Sequence, residues 1–188
     1  MTQAELLRYL VDALEALGIE YMITGSQASI YYGEPRFTQD IDVVAEIDAT
    51  HVPALAARFA PPEFYLSEEA AREAIARRGQ FNIVHAGSGL KVDVVVRKDT
   101  PFARTEFERR QRQPILPARD ACFARPEDVI LHKLVFVRQG ASERHLRDIA
   151  GILRISGAEL DLAHVSAWAE RLGVADLWDA VQRRASGR

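Results

Sequence analysis

Two pieces of one stretch decide the fold: Ile23-Thr24-Gly25-Ser26 and, ten residues on, Arg36-Phe37-Thr38-Gln39-Asp40-Ile41-Asp42-Val43. Residues 19 to 24 are rich in Ile, Tyr and Thr and read as a short strand that Gly25 stops. Ser26 is a good N-cap for a helix running to about Tyr32, and Gly33-Glu34-Pro35 ends that helix with turn chemistry. A strand ending in Gly-Ser and opening a helix presents backbone N–H groups and a hydroxyl at the positive end of the helix dipole, which suits a triphosphate. The same dipeptide is also an ordinary helix cap.

The second piece begins a strand over 40–47. Asp40 and Asp42 are two residues apart, so both carboxylates leave the same face while Ile41 and Val43 turn to the core. Neighbouring like charges are tolerated in solvent, or are useful where a divalent cation bridges them. Further on, Phe81 to His85 and Lys91 to Val96 read as a hairpin closed by a Gly87-Ser88-Gly89 turn. Its second strand sets Asp93 inside a β-branched run, where a carboxylate is costly unless paired or metal-bound. A sheet placing 40–47 beside 91–96 would gather three acids, the layout of two-metal phosphoryl transfer.

Around this centre the chain alternates elements irregularly. An amphipathic helix precedes it with apolar Leu6, Leu7, Leu10, Val11, Leu14 and Leu17; helices follow at about 52–59 and 68–78, and Arg104 to Arg112 reads as an exposed helix or loop. From Pro126 onward the pattern is helical, at about 127–138, 143–155, 162–172 and 175–184. The spacing therefore predicts an α+β fold: a small mixed sheet with flanking helices, residues 1–120 forming a core and residues 121–188 a helical region closing the cleft.

Composition bounds the rest. The 188 residues are 48% hydrophobic and 27% charged with a net charge of −3, an ordinary globular balance. Residues 1–100 carry nine basic and fifteen acidic side chains, residues 101–188 fifteen and twelve, so acids that can hold cations precede bases that can attract phosphate. The net charge disfavours tight nonspecific nucleic-acid binding, while a local basic patch could still grip a tRNA end. No stretch has the roughly 18 uncharged apolar residues of a membrane span, and Glu5, Asp12 and Glu15 interrupt the first apolar run, against a signal peptide. One cysteine, Cys122, fits a reduced cytoplasmic setting.

Only Lys91, Lys98 and Lys133 of the 24 basic residues are lysines. Lys133 falls amid Ile130, Leu131, Leu134 and Val135, where it either snorkels its ammonium to water or serves a phosphate. Arg36, just before the acids, could steer phosphates or pair with Asp42. The five histidines lack metal-ligand spacing, and Trp168 and Trp178 fit apolar helix faces.

At Gly25-Ser26, Arg36-x-Thr38-x-Asp40-Ile41-Asp42 and the later strand acid Asp93, the sequence resembles the DNA polymerase β-type nucleotidyltransferases. The Arg-x-Thr-x-Asp-Ile-Asp form is similar to the AbiEii-like toxins of abortive-infection and toxin–antitoxin systems. Pro126-Glu127-Asp128-Val129-Ile130-Leu131-His132-Lys133-Leu134, Arg138 and Arg147-Asp148-Ile149 resemble that family's helical Lys and Arg-Asp elements. Gly25-Ser26 departs from the Gly-Gly commoner in that branch and is similar to the minimal and antibiotic-modifying enzymes.

The resemblance implies a nucleotidyltransferase that moves an NMP from an NTP such as ATP to an acceptor hydroxyl with two Mg²⁺ ions. Asp40, Asp42 and Asp93 would be the catalytic metal ligands, with Asp93 a candidate base. Gly25, Ser26, Arg36 and Lys133 would bind substrate, with Asp148 supporting them. Implied partners are an NTP, a tRNA or protein acceptor, and a cognate antitoxin. An antibiotic nucleotidyltransferase and a non-catalytic nucleotide-binding module of the same fold are the alternatives.

Overall fold

The computed structural model of the chain describes residues 1–116, 119–140 and 143–185. In chain order the elements are α1 (Gln3–Ala16), β1 (Glu20–Ile23), α2 (Gly25–Tyr32), β2 (Asp40–Glu46), α3 (Val52–Arg58), β3 (Phe64–Leu66), α4 (Glu68–Arg77), β4 (Gln80–His85), β5 (Lys91–Val96), α5 (Pro101–Arg109), β6 (Gln111–Leu116) and β7 (Arg119–Phe123). Then come α6 (Pro126–Arg138), α7 (Glu143–Ser156), a 3₁₀ turn (Gly157–Glu159), α8 (Leu162–Arg171) and α9 (Ala175–Ala185). They group into two compact units: residues 1–26 with 37–123, and residues 27–36 with 124–188. The units change over at 123/124, and the segment 27–36 groups with the helical one.

The first unit holds a seven-stranded mixed sheet in the order β3-β4-β5-β2-β1-β7-β6. The pairs β2/β5 and β1/β7 are parallel, and every other pair is antiparallel. Alternation decides which side each residue takes: Ile41, Val43 and Ala45 on β2 and Val92, Val94 and Val96 on β5 are buried on one face. Helix α1 starts with a capping box, Thr2 accepting from the Glu5 amide while Glu5 accepts from the Thr2 amide, and buries Leu6, Leu10, Val11 and Leu14. Tyr9, Phe59 and Phe64 interlock with ring centroids 5.1 to 5.4 Å apart, fixing the end of α3 and strand β3 against α1.

The sheet is larger than the small one expected, because β3, β6 and β7 carry weak sequence signals. Strand β3 has three residues. Strand β6 contains Pro114 and a register irregularity between Pro114 and Leu116, which an edge strand tolerates. The charged stretch 104–112 is not simply exposed: α5 buries Phe102, Ala103, Glu106 and Phe107, and Gln111 already belongs to β6.

In the second unit α6 is apolar on most sides, burying Val129, Ile130, Leu131 and Leu134. Its acidic first turn is buried as well: Glu127 accepts from the Asp161 amide at 3.0 Å, and Asp128 meets His164 Nε2 at 2.8 Å. Trp178 on α9 is 1% exposed and donates its indole N–H to Ser166 on α8. Trp168, expected beside it in the core, is only partly buried, with Arg171 over its ring. Helix α2 ends against α7. A Cβ on Gly33 would lie 2.9 Å from the Ile152 amide, and Ser156 donates to the Tyr32 carbonyl.

Candidate active site

Strand register assembles the acids. Asp42 stands directly opposite Asp93 across the parallel β2/β5 pair, and Asp40 stands opposite Lys91. Same-face alternation then puts Asp40, Asp42, Lys91 and Asp93 on one side of the sheet. Asp93 is 8% exposed, and with its amide oriented to satisfy both partners Asn82 of β4 donates to Asp93 Oδ1 at 3.0 Å. Asp40 is more open than Asp93, its side chain half exposed.

The Gly25-Ser26 turn is built against Asp42. Thr24 donates its amide to the Asp42 carbonyl at 3.0 Å, and Ser26 donates its amide to Asp42 Oδ2 at 3.2 Å. Gly25 sits at φ +57°, and a Cβ there would fall 2.0 Å from Asp42 Oδ2. Glycine is required twice over, by the left-handed backbone and by the carboxylate beside it.

Among the described residues no group of three or more His, Cys, Asp and Glu side chains is gathered tightly enough to hold an ion as it stands. What lies between Asp40 and Asp93 is the Lys91 ammonium, 3.0 Å from Asp93 Oδ2 and 3.6 Å from Asp40 Oδ1. The hydrogen bond to Asp93 is the main reason the Lys91 pKa is raised. This acid face therefore already carries a positive charge, and its hard oxygen donors suit Mg²⁺ in chemical type. Reasoning from the sequence passed over Lys91. Its position two residues before Asp93 in a strand, hence on the same face, was the signal.

The other expected site residues meet in the helical unit. Arg36 forks onto Asp148, Nε to Oδ1 at 2.8 Å and Nη2 to Oδ2 at 2.9 Å, and Lys133 Nζ joins Asp148 Oδ2 at 2.7 Å. Lys133 and Asp148 are both almost fully buried. The snorkelling alternative for Lys133 is therefore overturned: its ammonium is inside, satisfied by a carboxylate. Burial alone would raise the Asp148 pKa, but the hydrogen bonds and charges of Arg36 and Lys133 outweigh it and hold the carboxyl below its ordinary value. Nearby His145 is pushed down, first by burial and then by Lys133, Arg144 and Arg36 against the opposing pull of Asp148.

The remaining candidates have local roles. His85 is buried and caps the Ser88 turn, and His51 meets Asp48. Tyr32 is buried while Tyr31 is partly exposed. Cys122 is a free thiol in β7 whose amide donates to the Tyr21 hydroxyl, and burial raises the Tyr21 pKa. No described helix is long and apolar enough to cross a membrane.

The fold is similar to an antigenic nucleotidyltransferase-like protein from Paracoccidioides brasiliensis (TM-score 0.57, 19% identity, 80% of this chain and 75% of that one). It is similar to the antibiotic-resistance factor ANT(2″)-Ia (TM-score 0.61, 14% identity, 99% and 98%) and to the lincosamide antibiotic adenylyltransferase LnuA (TM-score 0.56, 14% identity, 82% and 98%). No curated protein matches the sequence. A family model described as nucleotidyl transferase AbiEii toxin, type IV TA system, matches residues 10–182. With nearly its whole length covered by that match, the chain belongs to the AbiEii nucleotidyl transferase toxin family and is a nucleotidyltransferase.

Proposed function

We propose that the chain transfers an NMP from an NTP to a hydroxyl of a tRNA or protein acceptor and acts as the toxin of a toxin–antitoxin pair. The observation that carries this reading is the facing of Asp42 and Asp93 in strand register, with Asp40 on the same face and the Gly25-Ser26 turn bonded to Asp42. Family membership supports an NTP substrate and an antitoxin partner.

In this reading Asp40, Asp42 and Asp93 would hold Mg²⁺, which would supply activation of the acceptor hydroxyl and neutralisation of the leaving pyrophosphate. Asp93 takes the hydroxyl proton as the acceptor oxygen bonds to the α-phosphorus and the bond to pyrophosphate breaks. Gly25 and Ser26 bind the nucleotide phosphates at the start of α2, Ser26 through its hydroxyl, since its amide is given to Asp42. Within the helical unit Asp148 holds both Arg36 and Lys133 in place.

The test is incubation with Mg²⁺ and each α-labelled NTP in the presence of total RNA or cell protein. Wild type should label one class of acceptor, chelator should stop it, and Asp42→Asn should reduce labelling by more than about 10²-fold. Labelling undiminished in Asp42→Asn rejects the acid face as the catalytic centre. Growth arrest on expression of the chain alone supports the toxin role. Unchanged growth with raised tolerance to an aminoglycoside or lincosamide supports the alternative that the fold likeness to ANT(2″)-Ia and LnuA keeps open.

A further inference from the structure

The acid face of β2 and β5 carries a cation of its own. Lys91 stands opposite Asp40 in the register and two residues before Asp93 on the same strand, so it leaves the sheet on the side of all three acids. Its ammonium touches both Asp93 and Asp40, while its side chain remains about one-third exposed. We propose that Lys91 is a tethered counter-cation: it offsets one of the two charges of Asp40 and Asp93 in the metal-free chain, must withdraw before a divalent ion is bound, and so sets the affinity of the acid face for Mg²⁺. The inference rests on the reading of Asp40, Asp42 and Asp93 as metal ligands.

Three physical facts lead there. Asp42 and Asp93 are directly opposed, an arrangement of like charges that destabilises a strand pair unless positive charge is close. The ammonium donates to Asp93 Oδ2 and repels any second cation, so Lys91 and Mg²⁺ contend for the same oxygen and the same field. The residue is a lysine in a chain whose 24 basic residues include only three lysines. A compact point charge on a flexible four-carbon stem can swing out through its exposed side, whereas the planar fork of arginine would clamp the carboxylates. The acids therefore stay apart and ready without an ion, and the ion binds only as tightly as the displaced ammonium permits.

The experiment is Mn²⁺ binding to the full-length chain without nucleotide, read from the free Mn²⁺ electron paramagnetic resonance signal. Lys91→Gln should bind Mn²⁺ about tenfold more tightly than wild type, equivalent to ~1.4 kcal/mol. It should also melt at a lower temperature in chelator and recover more than wild type when Mn²⁺ is added. Lys91→Arg, which keeps the charge but not the mobility, should bind several-fold more weakly. If Asp42→Asn abolishes wild-type Mn²⁺ binding yet Lys91→Gln binds no more tightly, the role of Lys91 is rejected and the metal site stands. If Lys91→Gln proves unfolded, Lys91→Arg binding as tightly as wild type rejects it equally. Absence of Mn²⁺ binding in wild type and both Lys91 variants would overturn the metal-ligand reading, and this inference with it.

Discussion

A Cβ placed on Gly25 would lie 2.0 Å from the Oδ2 of Asp42, so the first residue of α2 and the middle acid of β2 are in contact as closely as their chemistry permits. The turn proposed to cradle phosphate and the carboxylate proposed to bind metal thus form one rigid piece. Gly25→Ala should cost about 1–3 kcal/mol for the positive φ and displace the Asp42 carboxylate. Ser26→Ala keeps the amide that Asp42 accepts and should leave stability within about 0.5 kcal/mol. Urea unfolding of both variants beside wild type separates the two effects.

Removing either side of the Lys133–Asp148 pair should destabilise the helical unit. Asp148→Ala removes the carboxylate between the buried Lys133 and the part-buried Arg36 and should cost about 3–5 kcal/mol. Lys133→Ala should also cost stability, because it takes a cation from the almost fully buried Asp148. The double variant Lys133→Met with Asp148→Leu should lose less than the two single losses added together. A loss equal to their sum in denaturant melts would show that the pair is not coupled.

Acid should find the same carboxylate. Because the folded Asp148 pKa lies below its ordinary value of 3.8, the group's contribution to stability is fully present above that pH. It is lost as the pH falls from there through the lowered folded value. Asp148→Asn removes this contribution, so its stability should fall less steeply than that of wild type below about pH 4. Denaturant midpoints measured at half-unit pH steps check the difference in slope.

His145 should titrate below its ordinary value of 6.5, being depressed by burial and by the cations around it. The neutral imidazole is the folded form near pH 7, and stability should decline as pH drops through the window between 6.5 and the lower folded value. Ring-proton chemical shifts followed by NMR give that value directly. Lys133→Met removes the strongest of the charges opposing protonation and should move the titration upward.

Trp178 is the largest fully buried side chain of the helical unit, held by its bond to Ser166. Trp178→Ala should destabilise by about 3–5 kcal/mol, and Trp178→Phe by less, since it leaves a smaller cavity but orphans the Ser166 hydroxyl. Thermal melts followed by far-ultraviolet circular dichroism read both.

The three acids, the Gly-Ser turn and most helices were legible in the chain because they depend on short-range rules. Residues two apart on a strand share a face, glycine and serine punctuate a strand-to-helix turn, and apolar residues three and four apart make a buried helix stripe. The hairpin of β4 and β5 was legible for the same reason. Strands β3, β6 and β7 were not, since a three-residue strand and a proline-bearing edge strand are stabilised by neighbours and not by their own pattern. Partnership was hidden too. No local rule joins Arg36 to Asp148, 112 positions away, or turns Lys133 inward, because a buried cation is permitted only by a carboxylate that long-range packing delivers. Lys91 lies between these cases. Its place on the face of Asp93 follows from strand alternation, but its bridge to Asp40 exists only because β2 and β5 pair in parallel with Asp42 opposite Asp93, and that register is a property of the folded sheet.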